Sequence, residues 1–282
     1  MASAPRDIRE LGDGPPEAYW DELRQRWGGL LTYRYIGRKY SSMNTGPVDD
    51  TVTLRHDMRN PGGGILASAL ACCSPGGGGL SDLEVVPNPV ITSLHVVDDA
   101  RDVRRIDVRG GTLKVGTRMY FGRTIIVDAD RPERTIAVIE GQGAAIGDVP
   151  AGMARFDDDA VMEIADSPDL PPLWQVFDGS RRADGTWQLG QLRVDLASPD
   201  AALHVGPQFV VIEAAALDAV PGQTESLHVM FLARGKVGPF RVATEVTRGA
   251  DPAGRACVVV TIHDEGNADR AITSATVLVR PE

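Results

Sequence analysis

The residues best suited to chemistry in this sequence are His204-Val205-Gly206-Pro207 and, nine residues after the histidine, Glu213. The apolar stretch that follows the motif predicts a helix that begins here. Backbone N–H groups in the first turn of a helix are unpaired and carry partial positive charge, so they can hold a carbonyl oxygen that gains negative charge. A carboxylate two turns further along can activate water as a general base or attack as a nucleophile. This spacing therefore favours chemistry at a carbonyl group.

A helix from Pro207 to about Val220 must position Glu213. Its segment Phe209–Leu217 is apolar on nearly every side, which predicts that other elements surround it. Because an unpaired buried charge is costly, an acid in such a helix is better explained by function than by a solvated helix face. A curved antiparallel sheet wrapped around the helix is the simplest way to surround it.

Two blocks of the sequence recur in the same order and at nearly the same separation. Leu54–Pro61 resembles Leu192–Pro199, and Ser93-Leu94-His95-Val96 recurs as Ser226-Leu227-His228-Val229. We interpret this as a tandem duplication of one small domain. In the first copy, Ile65–Cys73 is the predicted counterpart of the apolar helix.

Segments of alternating polarity separated by turn residues predict antiparallel strands after each helix. The predicted strands are Val90–Val97, Leu113–Val127, Thr135–Ile146, Trp187–Leu196, Ser226–Leu232, Phe240–Thr247, Ala256–His263 and Thr273–Val279. Arg109-Gly110-Gly111 and Asp130-Arg131-Pro132 are predicted turns. Each copy is therefore a strand, a helix and three or four antiparallel strands.

These patterns divide the chain into four regions. Residues 1–29 form an N-terminal segment with a short helix at Pro16–Trp27, and residues 151–172 have the composition of a linker. The first domain spans residues 30–150 and the second spans residues 173–282; we call them the first half and the second half.

The order of elements and the helix sequence resemble the hotdog fold of the acyl-CoA thioesterase and dehydratase superfamily. Thioesterases of the phenylacetate-pathway and 4-hydroxybenzoyl-CoA type carry His-Gly-Gly at the start of the central helix and an acid nine residues after the histidine. His204, Gly206 and Glu213 are similar to that pattern, whereas Val205 departs from it. The implied fold class is α+β, a tandem double hotdog in which each half is an antiparallel sheet wrapped around a central helix.

The resemblance implies hydrolysis of an acyl thioester of coenzyme A or acyl carrier protein at one site between the halves. Glu213 would be the acid, with His204 and Asn60 as further catalytic candidates. Gly64 and Gly206 would be the oxyanion or substrate-binding positions.

The first half lacks an acid at the corresponding place. Aligning Gly63-Gly64 with the glycine pair of the family puts Gly62 in the histidine position and Ala71 in the acid position. The mirror-related site would pair His204 and Gly206 with Ala71 and would be inactive.

A basic segment follows the second Ser-Leu-His-Val motif. Arg234, Lys236 and Arg241 are plausible contacts for the phosphates of coenzyme A, because charge-assisted bonds to phosphate are strong. Exposed turn charges are an equally good explanation. His95 and His228 occupy the same place in both copies and are better explained as structural residues.

Two other functions remain open from the sequence. A hotdog enoyl-CoA hydratase or dehydratase would use Asp200 and His204, which lie four residues apart. A non-catalytic acyl-thioester-binding protein would explain why the first half has lost its acid.

Composition narrows the class of protein. The formal net charge of −10 argues against a broad nucleic-acid-binding surface. No apolar run approaches the roughly 20 residues needed to cross a bilayer, and no N-terminal signal pattern is present, so we expect a cytoplasmic protein. The three cysteines match no zinc-site spacing, and we expect no metal or redox cofactor. The expected partner is a small acyl thioester, and the chain is expected to be a monomer of fused halves or a homo-oligomer.

Overall fold

The computed structural model describes residues 30–38, 48–74, 76, 85–148, 162–198, 200–248 and 254–281. The N-terminal segment 1–29, with its predicted helix at Pro16–Trp27, and linker residues 151–161 lie outside this range.

Within the described residues the chain forms four α-helices and thirteen β-strands. The helices are α1 (Leu31–Ile36), α2 (Ala67–Cys73), α3 (Leu173–Val176) and α4 (Val205–Ala219). The strands are β1 (Val48–Thr53), β2 (Val85–Val96), β3 (Arg105–Val115), β4 (Met119–Asp128), β5 (Arg131–Asp148), β6 (Gly179–Arg181), β7 (Trp187–Leu189), β8 (Ala197–Ser198), β9 (Ala202–Leu203), β10 (Gly222–Phe231), β11 (Phe240–Arg248), β12 (Ala256–Asp264) and β13 (Arg270–Pro281). None of the helices in this part of the chain has the length and apolar content to span a membrane.

Eleven of these strands form one antiparallel sheet in the order β1-β3-β4-β5-β2-β10-β13-β12-β11-β7-β6, and β8 pairs with β9 beside it. Strands β3, β4 and β5 of the first half are neighbours in sequence order, as are β11, β12 and β13 of the second half. Strand β2 pairs with β5, and β10 pairs with β13. The two halves meet where β2 pairs with β10, so the sheet is continuous across both. The predicted antiparallel pairing is confirmed, and the strands of both halves belong to one large sheet.

The pairing of β2 with β10 is symmetric about one residue pair. Leu94 lies opposite Leu227, with Ser93 opposite His228 and His95 opposite Ser226. The two copies of Ser-Leu-His-Val therefore run side by side in opposite directions. The Ser93 hydroxyl lies 2.7 Å from Nδ1 of His228, so this histidine makes a contact between the halves.

Helix α4 is surrounded on most sides, as its all-apolar sequence predicts. It packs against α2, α3 and the inner face of the second half of the sheet. Phe209, Val211 and Ile212 are fully buried, and each such side chain contributes about 1.5–3 kcal/mol through burial. Pro221 ends the helix because it cannot continue the hydrogen-bonding pattern. Gly222 follows because a Cβ there would lie 2.2 Å from the Arg280 carbonyl oxygen of β13.

The prediction of a turn at Arg109-Gly110-Gly111 is wrong, since all three residues lie inside β3. Gly110 is needed for close packing: a Cβ there would lie 2.5 Å from the hydroxyl oxygen of Thr124 in β4. The predicted long strand Leu113–Val127 is instead divided between β3 and β4, with a turn in which Gly116 N–H donates to the Met119 carbonyl. The strand predicted at Trp187–Leu196 ends at Leu189, because Val194–Leu196 forms a 3₁₀ turn.

Candidate active site

Glu213 lies on α4 with only 1% of its surface exposed. Its Oε1 accepts the N–H of Ala67 at 2.9 Å, and its Oε2 accepts the N–H of Ser68 at 2.7 Å. Both amides belong to the first turn of α2, where they have no partner within that helix. An acid of the second half is therefore held by a helix of the first half.

The pKa of Glu213 is raised above its ordinary value of 4.5, chiefly because burial penalises the charged form. Hydrogen bonds from Ser68 and Ala67 favour the charged form and oppose this effect. Burial dominates, so the carboxylate holds a proton at higher pH than an exposed glutamate does. A raised carboxyl pKa suits a general base that works near neutral pH.

Glu213 lines a cleft of about 560 Å³ between the two halves. On α4, Val210 and Leu217 share the face of Glu213, because they lie three residues before it and four residues after it. Ala214, the next residue, also lines the cleft. The remaining wall is largely apolar, with a polar margin. Besides these residues, the cleft is lined by His56, Asp57, Arg59, Asn60, Pro61, Leu66, Ser68, Pro168, Leu170, Pro172, Leu173, Trp174, Trp187, Asp218, Pro221 and Gly222.

Asn60 lines this cleft, but its side-chain amide makes hydrogen bonds within the protein. Its Nδ2 donates to Gln223 Oε1 at 2.8 Å and to the Gly222 carbonyl at 3.2 Å, and its Oδ1 accepts the Gly64 N–H at 2.9 Å. The Gly64 amide, which we predicted as an oxyanion donor, is therefore already engaged. Gly64 is required instead for close packing, because a Cβ there would lie 1.9 Å from Gln223 Oε1.

The alignment that placed Ala71 in the acid position also needs correction. Helix α2 begins at Ala67 with Leu66 as its N-cap, and α4 begins at Val205 with His204 as its N-cap. The amide of Leu66 donates to the Met58 carbonyl just as that of His204 donates to Leu196. Leu66 therefore corresponds to His204, and the residue nine positions later is a proline at 75, beyond the end of α2.

His204 and Gly206 lie apart from Glu213, about 13 Å along the helix for nine residues. Nδ1 of His204 lies 2.9 Å from the Thr32 hydroxyl and accepts the Gly206 N–H at 3.3 Å. Tyr33 contacts the imidazole edge-on, and the Cys72 thiol approaches the Gly206 carbonyl. Burial lowers the pKa of His204 to about 3, so its imidazole is neutral at physiological pH. Neither His204 nor Gly206 lines the cleft.

Asp200 pairs with Arg234 and also accepts the Ser198 hydroxyl, so it is not directed at His204 as a hydratase pair would require. Arg234 additionally donates to Asn88 of β2, and Lys236 donates to the Asp200 carbonyl. Arg241 pairs with Asp269 and Glu265. The three predicted phosphate contacts thus bind groups of the protein away from the cleft.

Sequence reasoning missed the basic side chains that line the cleft, Arg59 and His56. Arg59 donates to the carbonyls of Gly63, Ala100 and Val103, and burial lowers its pKa. His56 contacts Asp166 through Nδ1 at 2.9 Å. A usable signal was present, since Arg59 lies in the repeated block where the second copy has Ala197. Trp174 and Trp187 were also missed, because they precede the repeated motifs of the second half.

No protein-family model matches this sequence, and no curated protein matches it. Solved structures do match its fold. One is a protein of unknown function with a hotdog fold from Alicyclobacillus acidocaldarius, with a TM-score of 0.54 and 10% identity over 86% of this chain and 97% of that one. Acyl-CoA thioesterase II of Mycobacterium marinum has a TM-score of 0.54 and 11% identity over 88% and 96%. The 12:0-ACP thioesterase of Umbellularia californica has a TM-score of 0.52 and 13% identity over 84% and 94%. This chain therefore has a hotdog fold.

Proposed function

We propose that this protein hydrolyses acyl thioesters of coenzyme A or acyl carrier protein, with Glu213 as the reacting acid. The observation that carries the proposal is the position of Glu213: a buried carboxylate of raised pKa that lines a largely apolar cleft between the halves. An apolar cleft with few polar groups suits an acyl chain and its reactive carbonyl. The names of two fold neighbours, an acyl-CoA thioesterase and an acyl-ACP thioesterase, support the same reaction class.

In this reaction Glu213 takes a proton from water while the water oxygen bonds to the thioester carbonyl carbon. The carbon–sulfur bond then breaks, and the proton passes from Glu213 to the departing sulfur. The products are a carboxylic acid and a free thiol. The alternative is direct attack by the carboxylate on the carbonyl carbon, which breaks the carbon–sulfur bond, releases the thiolate and forms an anhydride. Water then opens the anhydride, and one of its protons passes to the thiolate.

The proposed architecture is a tandem double hotdog, with a first domain at 30–150, a linker at 151–172 and a second domain at 173–282. The symmetric pairing about Leu94 and Leu227 and the matched N-cap bonds of Leu66 and His204 support this division. One working site would lie at Glu213. At the mirror position, Thr32, Tyr33 and Cys72 fill the space around His204 and Gly206. Such a chain contains both halves of a hotdog dimer, so further assembly is optional.

A second candidate is a protein that binds acyl thioesters without turnover. It is favoured by the engagement of both predicted oxyanion donors, since Gly64 N–H donates to Asn60 and Gly206 N–H donates to His204. The amides that face Glu213 are likewise occupied by its carboxylate.

The deciding experiment is thiol release from acyl-CoAs of increasing chain length and from aromatic acyl-CoAs. We expect turnover by the wild type and a loss of roughly 100-fold or more in Glu213→Gln, the usual range for a missing general base. Glu140→Gln removes an exposed acid of the sheet and is the matched control, with wild-type rates expected.

Wild-type rates in Glu213→Gln would contradict the assigned role of this residue. No turnover in any arm, together with ligand-dependent thermal stabilisation of the wild type, would establish the binding protein instead.

A further inference from the structure

Two tryptophans line the cleft beside the C-terminal turn of α4. The ring centroids of Trp174 and Trp187 are 5.2 Å apart with planes at 82°, an edge-to-face contact. Trp187 is 8% exposed, and its Nε1 donates to Oδ2 of Asp218 at 3.1 Å. This bond places the pair next to Leu217 and Asp218, which also line the cleft.

The backbone under Trp174 is firmly held. The flanking residues Leu173 and Phe177 are buried in the core. Gly179 packs directly beneath, since a Cβ at that position would lie 2.7 Å from the Trp174 carbonyl oxygen. These contacts hold the backbone of α3 against the core, and the Trp174 indole forms part of the cleft wall.

The part of the lining that residues 56–60 of the first half contribute is polar. It includes His56, Arg59 and Asn60, and the His56 side chain is 57% exposed. Among the described residues Arg59 makes its hydrogen bonds to carbonyl oxygens and has no ion pair with a carboxylate. An acyl thioester has an apolar acyl group on one side of its carbonyl and a polar carrier arm on the other, so a lining with an aromatic part and a polar part matches such a ligand.

We infer that the acyl group lies between Glu213 and the Trp174–Trp187 pair, and that Trp174 limits acyl length; this rests on the proposed thioester hydrolysis. Trp187 is hydrogen-bonded to Asp218, five residues after Glu213, so this tryptophan lies about 7.5 Å along the helix axis from the acid. A separation of less than two helical turns favours a short acyl group between them. The substrate class is a short-chain or similarly compact acyl thioester.

The test measures kcat/KM on a ladder from butanoyl-CoA to dodecanoyl-CoA. We expect the wild type to lose about tenfold or more for each methylene beyond the space available, the usual discrimination of a closed apolar pocket. Trp174→Ala removes the wall, and the ratio of kcat/KM for dodecanoyl-CoA to that for butanoyl-CoA should rise at least tenfold. Trp174→Phe keeps a flat, smaller wall and should give an intermediate profile. Leu113→Ala removes an exposed apolar side chain of β3 and should keep the wild-type profile.

Binding of non-hydrolysable acyl-CoA thioethers, followed by calorimetry, separates the two proposals. If no acyl-CoA is hydrolysed but short-chain thioethers bind and Trp174→Ala prefers longer ones, the assignment of the acyl end stands and the hydrolase proposal fails. If acyl-CoAs are hydrolysed with the same length profile in the wild type, Trp174→Phe and Trp174→Ala, the role of Trp174 is overturned and the hydrolase proposal stands.

Discussion

Both carboxylate oxygens of Glu213 accept amide hydrogens from α2, while the same side chain lines the cleft. Two amide donors fix the orientation of the carboxylate. Burial acts in the other direction on its charge, because it favours the protonated form. The geometry is thus set by hydrogen bonds and the proton affinity by desolvation.

The raised pKa of Glu213 has a measurable consequence for pH dependence. If the ionised form is the base, kcat/KM should rise with pH through an apparent pKa above 4.5, the ordinary value for glutamate. The same shift affects stability, because the folded state holds its proton more tightly than the unfolded chain. The contribution of Glu213 to the free energy of unfolding should be fully present below about pH 4.5 and lost as pH rises through the folded-state pKa.

Urea unfolding of the wild type and Glu213→Gln at several pH values checks the second part. We expect the difference in the free energy of unfolding, wild type minus variant, to fall between pH 4 and pH 8. A difference that stays constant, or that grows with pH, would show that the pKa of Glu213 is not raised.

For Glu213, the sequence predicted a buried acid but not the residues that surround it. The nine-residue spacing and the apolar helix single out Glu213. Its hydrogen-bond donors, Ala67 and Ser68, are ordinary residues more than 140 positions earlier, and their role depends on how α2 meets α4. The engagement of Gly64 by Asn60 is likewise a loop geometry without a distinctive motif.

Helix α1 fits against the first turn of α4 through a glycine. A Cβ at Gly206 would lie 2.2 Å from Oγ1 and 2.5 Å from Cγ2 of Thr32, and Thr32 is buried. We therefore expect Gly206→Ala to lower the free energy of unfolding by about 1–3 kcal/mol through overpacking, despite the better helix propensity of alanine.

A double-mutant cycle with Thr32→Ala checks this explanation by chemical denaturation. Thr32→Ala removes the two closest atoms, so the double variant should be more stable than Gly206→Ala alone. Gly111→Ala is the matched control, because nothing lies within 4 Å of a Cβ at that position. Strictly additive effects of the two substitutions would argue against the contact as the cause.

Glycine explains where the prediction of elements failed. In sequence, Gly110-Gly111 and Gly62-Gly63-Gly64 both indicate interruptions of regular structure. The first pair lies inside β3, where Gly110 admits the Thr124 side chain, whereas the second group does lie in a loop before α2. A single sequence does not distinguish a glycine that turns the chain from one that admits a neighbouring side chain. The apolar segments β10 to β13 carry no such ambiguity, and their prediction is confirmed.

Across the whole molecule, Arg234 links the halves away from the cleft. It pairs with Asp200 and Ser198 of the second half and donates to Asn88 of the first. We expect Arg234→Gln to lower the free energy of unfolding at pH 7 by about 1–3 kcal/mol, because it removes the guanidinium that pairs with the buried Asp200 carboxylate. The KM for acyl-CoA should not change, in contrast to the expectation for a phosphate contact.

The stabilisation by the Arg234–Asp200 ion pair should decrease at low pH. The charged neighbours Arg234 and Lys236 and the Ser198 hydroxyl outweigh the effect of burial, so the pKa of Asp200 is held below its usual 3.8. The stabilisation is therefore present above about pH 3.8 and lost as pH falls through the folded-state pKa. Arg193→Gln breaks an exposed ion pair with Asp195 and serves as the control, with little change expected. A raised KM with unchanged stability in Arg234→Gln would instead support the predicted role of Arg234 in binding the phosphates of coenzyme A.

The repeated blocks predicted the fold of the molecule better than the residues of its candidate active site. The two Ser-Leu-His-Val copies proved to be the strands that join the halves, at the middle of the sheet. The cleft could not be predicted in the same way. Trp174 and Trp187 lie between the repeated blocks, and the basic residues His56 and Arg59 of the first block are not repeated in the second. Features shared by both copies follow from the sequence, and features found in one copy depend on long-range packing.

Both halves of the chain contribute to the walls of the cleft. The first half provides the amides that bind Glu213, and the second half provides Glu213 itself. If residues 30–150 and 173–282 were produced as separate polypeptides, neither would contain a complete cleft. Any thioester hydrolysis in their mixture would then measure their association, and its rate would depend on the concentration of both. If the proposed hydrolysis holds, the two polypeptides would act as a split enzyme whose product reports on their association.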